Sequence, residues 1–170
     1  MKPTVYQGNY NPVARRYDTT LIPLLRELKI AFYAYSPLAG GFLVKDVATL
    51  KVNDSQRGGE GRWDPSSQVG AIYHDRYNRP ALLHALTDWE SIANEARCSK
   101  AELAYRWVRY NSILKPEYGD MIILGASSGK QLEETLKGIN NGPLDEAIAK
   151  KIDRVWEAVK DEAPLDNFHA

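Results

Sequence analysis

Cysteine, net charge and long apolar runs are scarce or missing in this sequence, and each lack excludes a class of protein. Only one of the 170 residues is a cysteine, Cys98, so an intrachain disulfide and a cysteine-based zinc cluster are both excluded. The 22 basic residues equal the 22 acidic ones in number. This balance argues against nucleic acid or an anionic membrane as partner, because both select a basic surface.

Targeting and metal-binding signals are missing as well. No apolar run approaches the roughly 20 residues of a membrane span. The first residues, MKPTVYQGNY, lack the apolar core of a signal peptide. His74, His84 and His169 do not have the spacing of metal ligands. We therefore expect a cytoplasmic protein without a metal.

The apolar residues that are present repeat with strand and helix periods in alternation. Strands are predicted at 4–8, at 30–35 and from Met121. Helices are predicted at 18–29, from Pro80, after Ser99, after Ser128 and after Asp145. Strands that alternate with helices indicate an α/β fold with a parallel sheet. The length suits a single domain, residues 1–170.

Three of these helices have recognisable start signals. Asp18 or Thr19 is predicted to cap the helix at 18–29, which places Leu21, Leu24, Leu25 and Leu28 on one face. Ser99 with Glu102, and Ser128 with Gln131, each have the spacing of a capping box, in which each residue satisfies a backbone donor of the other.

A polar, glycine-rich segment, residues 40–78, separates the second strand from the helix at Pro80. It is too long for a simple connection, and we interpret it as a functional loop or lid. It contains the sequence GEGRWD and with it Arg62.

Three strand ends offer complementary chemistry. Because ligands of parallel α/β folds bind at the carboxyl ends of the strands, these ends are expected to meet at one edge. Gln7 can pair with a carboxamide, and Tyr35 offers a flat face to an aromatic ring. Residues 125–128, with the sequence GASS, lead into a helix start that favours phosphate. Together they describe a site for a nicotinamide dinucleotide.

Each of these residues also has an ordinary structural interpretation. A glutamine at a strand end is usually solvated, a tyrosine in a strand is usually core, and Ser127 or Ser128 is a good helix cap. Arg62 in a glycine-rich loop fits a surface charge equally well. The sequence GGEG is not a dinucleotide fingerprint, because it neither follows a strand nor opens a helix.

Three stretches resemble the last three strand–helix units of an aldo-keto reductase: PTVYQGNYNP, FYAYSPLAGGFL and IILGASSGKQLEETL. The resemblance extends over nearly the whole chain and is closest to the aflatoxin-aldehyde-reductase branch and its fungal relatives. It implies part of a (β/α)8 barrel and an NADPH-dependent carbonyl reductase activity. It also implies cofactor roles for a set of residues: Gln7 for the carboxamide, Tyr35 for the nicotinamide ring, Ser36, Leu38, Gly40 and Arg62 for the diphosphate, and Ala126, Ser127, Ser128, Gln131 and Glu134 for the adenosine and its 2′-phosphate. Two positions depart from the family pattern, Gly129 and Thr135.

The resemblance covers only the second half of such a barrel. The catalytic tyrosine, lysine, aspartate and histidine of the family lie in the first half, so no residue here is expected to take their roles. A partial barrel exposes sheet edges and an apolar face. We therefore expect a homo-oligomer, most simply a dimer, or a companion chain that covers them.

Three functions remain open from the sequence. The first is the cofactor side of a reductase that is active only when another chain complements it. The second is a cofactor-independent isomerase, cyclase or dehydratase of fungal secondary metabolism, acting on a polyketide-like or carbonyl ligand, with His74, His84, Tyr35 and Tyr73 as acid–base candidates. The third is a remnant without catalytic activity.

Overall fold

The computed structural model describes residues 2–51, 63–64 and 66–166. Three parallel strands, β1 (Val5–Asn9), β2 (Ala31–Tyr35) and β3 (Met121–Ile122), form a sheet in the order β1–β2–β3. Gln7 pairs with Tyr33, and Asn9 pairs with Tyr35. The predicted α/β class and parallel sheet are confirmed. The sheet is not closed within the described residues, because β2 is the only strand there that pairs with β1 or β3.

Seven α-helices accompany this sheet in the described residues. They are α1 (Ile22–Glu27), α2 (Val47–Lys51), α3 (Gln68–Tyr77), α4 (Pro80–Glu95), α5 (Lys100–Arg106), α6 (Gly129–Ile139) and α7 (Glu146–Val159). α5 continues into a wider π-type turn over Trp107–Asn111. None of these helices combines the length and the apolar character that crossing a membrane requires.

The two faces of β2 differ in how well they are covered. Phe32 and Ala34 are completely buried, whereas Tyr33 and Tyr35 on the opposite face are only half-buried. Side chains alternate between the faces of a strand, and paired residues share a face. Gln7 and Asn9 of β1 therefore lie on the same face as Tyr33 and Tyr35.

The long helices form as their sequences predict. Pro80 is the first residue of α4, where its missing N–H costs no hydrogen bond. α4 buries Leu82, Leu86 and Trp89 and packs against α7. Ser99 caps α5 by accepting a hydrogen bond from the Glu102 N–H at 3.1 Å, but the other half of this predicted capping box is wrong, because Glu102 Oε1 accepts from Arg106 and Asn141.

The helix predicted at 18–29 is shorter than expected, and its predicted cap is wrong. A separate 3-10 turn covers Arg16–Asp18, and α1 begins only at Ile22. The Asp18 carboxylate does not cap α1, because it accepts hydrogen bonds from Tyr10 Oη at 2.6 Å and Arg15 Nε at 3.3 Å. Of the four predicted leucines, Leu25 is buried, whereas Leu24 and Leu28 are exposed.

The segment 40–78 contains regular structure in its described parts. A 3-10 helix covers Ala39–Val44, and α2 and α3 follow. Ser67 caps α3 by accepting a hydrogen bond from the Gly70 N–H at 2.9 Å. Arg62 lies outside the described residues. The role of the segment as a lid stays a prediction.

A buried carboxylate joins α1, β2 and the chain before β3. The Asp120 side chain is 2% exposed. Its oxygens accept hydrogen bonds from the Arg26 guanidinium, from the Phe32 N–H at 2.8 Å and from the Lys115 N–H at 2.8 Å. The guanidinium also lies 4.4 Å from the centre of the Tyr118 ring. Asp120 thus fixes the position of two strands relative to a helix.

Alkaline pH is expected to destabilise the protein through its buried tyrosines. Burial is the main cause that raises the pKa of Tyr10, Tyr17 and Tyr77 above the usual value of 10.0. Unfolded tyrosines lose their protons near that value while the folded ones keep them, so the free energy of unfolding falls as the pH rises above about 10. Each buried tyrosine adds a slope of up to about 1.4 kcal/mol per pH unit. Urea unfolding at pH 8 and at pH 10.5 measures the difference.

Tyr77→Phe is the matched control for that experiment. The buried Tyr77 hydroxyl makes no hydrogen bond of regular geometry within the described residues, so its removal is expected to cost little stability at pH 8. The variant should instead reduce the loss of stability between the two pH values. An identical loss in wild type and variant would show that Tyr77 does not contribute.

Candidate functional site

A cleft of about 780 Å³ opens at the carboxyl ends of β2 and β3. We call it the main cleft. One side is formed by Tyr35 and by residues 36–41, which we call the glycine turn; all of these residues except Ala39 line the cleft. On the other side lie residues 123–127 and Gln131. This volume is in the range of about 300 to 1,000 Å³ that is usual for small-molecule sites.

A second cavity of about 350 Å³, the side cavity, adjoins the main cleft. The two share four lining residues, which are Leu38, Tyr105, Gly125 and Gln131. The side cavity extends between α5 and α6, where Ser99, Glu102, Glu134 and Thr135 line it. The arrangement suits an elongated ligand with two separate ends.

Most of the cofactor residues that the family resemblance implies are brought together here. Seven of them line the main cleft, namely Tyr35, Ser36, Leu38, Gly40, Ala126, Ser127 and Gln131. Glu134 lines the side cavity. Gln7 and Ser128 line neither, and Arg62 lies outside the described residues.

Gln7 lies further from the carboxyl ends of the strands than the main cleft does. It is exposed and pairs in register with Tyr33, two residues before Tyr35. This offset corresponds to a rise of roughly 7 Å along the strand. Gln7 therefore shares a sheet face with Tyr35 while it stands below the cleft.

The glycine turn has an unusual backbone. Ser36, Ala39, Gly40 and Gly41 have positive φ angles of 53°, 53°, 67° and 94°. Two of these residues are not glycines, and side chains make that conformation unfavourable. The Ala39 N–H bonds to the Ser36 carbonyl at 2.8 Å, and the Gly41 N–H bonds to the Leu38 carbonyl at 2.9 Å. The result is a tight turn whose backbone reaches the cleft.

Polar groups of the opposite wall are organised by Gln131. Ser128 caps α6 by accepting from the Gln131 N–H at 3.2 Å. The other half of the predicted capping box is wrong, because Gln131 Oε1 accepts from Ser127, from its N–H at 2.7 Å and from its hydroxyl at 3.0 Å. Gln131 therefore holds the loop before α6 against the start of the helix, where unpaired N–H groups and the dipole favour anions.

Carboxylates are the charged groups that line the two cavities within the described residues. Glu102 and Glu134 both belong to the side cavity. Glu102 Oε1 is already engaged, since it accepts from Arg106 at 3.0 Å and from Asn141 at 2.9 Å. Glu134 lies 3.9 Å from Lys130, and both are largely exposed. No group of acidic, histidine and cysteine residues in the described chain has the arrangement of a metal site.

Tyr105 is a site residue that the sequence does not reveal. It lies on α5, is 4% exposed and lines both cavities. Burial raises the pKa of its hydroxyl, and a hydrogen bond with Thr135 acts in the opposite direction. Within the sequence KAELAYRW the residue is indistinguishable from an ordinary core position of an amphipathic helix.

The acid–base candidates do not come together in these cavities. Only Tyr35 lines the main cleft, whereas His74, His84 and Tyr73 line neither cavity. His84 is exposed on α4. His74 lies with its ring 5.4 Å from that of Trp63, and Tyr73 is buried against Gly40.

Two curated relatives match nearly the whole of this chain. The chain is 42% identical to the oxidoreductase sirO of Leptosphaeria maculans and 36% identical to human aflatoxin B1 aldehyde reductase member 2. Each match includes 95% of this chain but only 47% and 45% of the relative, respectively. The chain thus spans about half the length of the curated relatives it matches.

A solved structure shows the same fold. The glycerol dehydrogenase AKR11B4 of Gluconobacter oxydans superimposes with a TM-score of 0.64 at 18% identity. The match includes 98% of this chain and 46% of that one. The three parallel strands and their helices thus correspond to part of a barrel. The family model described as "Aldo/keto reductase family" matches residues 1–157, and the chain therefore belongs to the aldo/keto reductase family.

Proposed function

We propose that this chain forms the NADP(H)-binding side of an aldo-keto reductase. The observation that carries the proposal is the main cleft, in which the glycine turn and residues 123–127 face each other at the ends of β2 and β3. In our proposal the nicotinamide ring stacks on Tyr35, the diphosphate lies along the glycine turn, and the adenosine enters the side cavity.

The residues present fit such a ligand in three respects. The glycine turn offers backbone in a conformation that permits close approach, as phosphate-binding turns do. On the opposite wall, a Cβ added to Gly125 would have no neighbouring atom within 4 Å, so the space beside it is available to a ligand. The start of α6 adds N–H groups that favour phosphate oxygens.

Carbonyl reduction needs more than these residues. A bound reduced nicotinamide supplies a hydride, and a positioned acid must protonate the carbonyl oxygen. His74, His84 and Tyr73 do not line the main cleft. We propose that the proton donor comes from outside these 170 residues, and that the present chain alone binds the cofactor without turning over a carbonyl substrate.

NADPH titration, followed by quenching of protein fluorescence, tests the proposal. Wild type is expected to bind saturably. Gly125→Leu is expected to weaken binding at least about tenfold, because its side chain fills space shared by both cavities. Thr87→Leu is the control, because Thr87 is exposed on α4 and lines neither cavity.

Two results would contradict the proposal. One is the lack of saturable binding at millimolar NADPH. The other is equal weakening by Gly125→Leu and Thr87→Leu, which would place the ligand elsewhere. A parallel titration with NADH, which lacks the 2′-phosphate, measures how much this group contributes to binding. The comparison is informative because the charged residues that line the cavities in the described chain are carboxylates, Glu102 and Glu134, which repel a phosphate.

We propose in addition that a second copy of the chain covers the open edge of β3. A groove of about 340 Å³, the edge groove, lies beside this strand, and Leu114, Met121, Ile122 and Leu136 contribute to its lining. Met121 is 55% exposed and Leu136 is 45% exposed. An unpaired edge with exposed apolar side chains favours pairing with another chain.

Light scattering coupled to gel filtration tests this association. Wild type is expected to elute with the mass of a dimer, and Met121→Glu with that of a monomer, because the charge would be desolvated at the interface. Leu24→Glu, at an exposed leucine outside the edge groove, should leave the mass unchanged. A monomeric wild type would refute the proposed dimer.

A further inference from the structure

The glycine turn is held in a conformation that its own residues do not favour. Four of its six positions have positive φ, and two of those four are Ser36 and Ala39. Residues of this kind cost roughly 1 to 3 kcal/mol each and persist only where the surroundings impose them. Contacts from elsewhere in the chain must therefore maintain the turn.

One set of contacts comes from the loop after β1. The Asn11 side chain is completely buried and donates from Nδ2 to the Ser36 carbonyl at 3.1 Å. The Tyr10 N–H donates to the Tyr35 carbonyl at 3.1 Å. These bonds fix the beginning of the turn.

The end of the turn is held by two buried aromatic residues. Trp63 donates from its indole Nε1 to the Gly40 carbonyl at 2.9 Å. The Tyr73 ring lies so close to Gly40 that a Cβ at this position would be 2.0 Å from Tyr73 Cε1. Trp63 is 7% exposed and Tyr73 is 9% exposed. Trp63 thus fixes the Gly40 carbonyl, and the Tyr73 ring leaves no room for a side chain at Gly40.

Both residues are themselves immobilised by an aromatic cluster. Trp63 and Tyr73 have ring centres 5.4 Å apart, and Tyr73 stacks on Tyr77 at 6.2 Å. Tyr77 in turn stacks on Phe42 at 5.1 Å. Phe42 directly follows the glycine turn, so the cluster connects α3 with both the turn and the chain after it.

We infer that Trp63 and Tyr73 are positioning residues that hold the glycine turn in its ligand-accepting conformation. The identity of that ligand as a dinucleotide rests on the proposed function. Tyr73 acts here through its ring and not through its hydroxyl. α3 and Trp63 control cofactor affinity in this way although neither Trp63 nor Tyr73 lines the main cleft.

Trp63→Phe, compared with Trp89→Phe, separates this role from ordinary core packing. Both tryptophans are buried, but the Trp89 Nε1 has no hydrogen-bond partner among the described residues, whereas the Trp63 Nε1 donates to the Gly40 carbonyl. Both substitutions keep a large ring and remove one indole N–H. Only Trp63→Phe removes a bond to the turn.

Hydrogen exchange of the cofactor-free protein is the first measurement. Trp63→Phe should accelerate exchange in the peptide that covers residues 38–43 by about 2- to 10-fold, the value of one hydrogen bond, while Trp89→Phe should not. The NADPH dissociation constant should rise by a similar factor for Trp63→Phe alone. Equal exchange in the two variants would overturn the inference. If wild type binds NADPH, faster exchange in Trp63→Phe with an unchanged NADPH affinity would also overturn the inference.

Tyr73 provides a second, independent pair of variants. Tyr73→Phe keeps the ring against Gly40 and should change neither exchange nor NADPH affinity. Tyr73→Leu removes the ring and should increase both the exchange rate and the dissociation constant. A loss of binding with Tyr73→Phe would show that the hydroxyl matters and would contradict the inference. If wild type binds no NADPH, the proposed function fails, and exchange at residues 38–43 still decides whether the turn is held.

Discussion

Replacing Asp120 with alanine is expected to lower the free energy of unfolding by about 3 to 5 kcal/mol. The substitution leaves the Arg26 guanidinium and the N–H groups of Phe32 and Lys115 without their acceptor. The site is nearly inaccessible to water, since the Asp120 side chain is 2% exposed. Water therefore replaces the lost hydrogen bonds poorly, and an unpaired buried donor costs desolvation energy.

Urea unfolding, followed by circular dichroism at pH 7, measures this loss. Asp46→Ala is the matched control, because Asp46 pairs with Lys100 at 2.7 Å while its side chain is 69% exposed. Exposed pairs contribute about 0 to 1 kcal/mol. Asp120→Asn should fall between the two, since it keeps the shape and one acceptor but removes the charge. A loss below about 1 kcal/mol for Asp120→Ala would contradict the role of Asp120.

Asp120 also shows which parts of the fold the sequence can predict. β1, β2, α4, α6 and α7 follow from the spacing of nearby apolar residues, and all of them form in the structure. The hydrogen bond from Arg26 to Asp120 joins residues that are 94 positions apart. No local pattern marks such a pair, because its energy depends on a fold that has already formed.

The prediction of the first helix is wrong because contacts outside the helix engage its expected cap. Asp18 has a good capping sequence for residues 18–29, and yet its carboxylate bonds to Tyr10 and Arg15. The carboxylate is engaged by Tyr10, eight positions away, and by Arg15, three positions away, and α1 begins at Ile22 with Pro23 in its first turn. Local propensity predicts what a segment prefers in isolation, and tertiary contacts decide among the alternatives.

The candidate site was predictable where family motifs supply it. The motif FYAYSPLAGGFL identifies Tyr35, Ser36 and Leu38, and these residues line the main cleft. No sequence motif identifies Trp63 or Tyr105 as site residues, because their roles depend on side chains that meet only in the folded chain. The indole of Trp63 reaches Gly40 across 23 positions of sequence.

Gly40→Ala is expected to lower the free energy of unfolding by roughly 2 to 5 kcal/mol. A φ of 67° is unfavourable for alanine, and the added Cβ would lie 2.0 Å from Tyr73 Cε1 and 2.7 Å from Cζ. The Tyr73 ring cannot move away easily, because it lies between Trp63 and Tyr77 in the aromatic cluster. The substitution therefore strains the backbone and overpacks the core at the same position.

Gly41→Ala is the matched control for this prediction. Gly41 has a φ of 94°, but the nearest atom to an added Cβ, Trp63 Nε1, is 3.6 Å away. Gly41→Ala should lower the free energy of unfolding only through backbone strain, by about 1 to 2 kcal/mol. Urea unfolding of both variants measures the difference, and equal losses would show that the Tyr73 contact is unimportant.

A double-mutant cycle makes the same test specific to the Tyr73 ring. Combining Gly40→Ala with Tyr73→Leu removes the ring that the new Cβ would meet, so the double variant should be more stable than the two single losses predict. Contacting residues typically show couplings of about 0.5 to 3 kcal/mol. Additive losses would mean that the ring and the turn are independent. A favourable coupling would show that the aromatic cluster, and with it α3, sets the shape of the glycine turn.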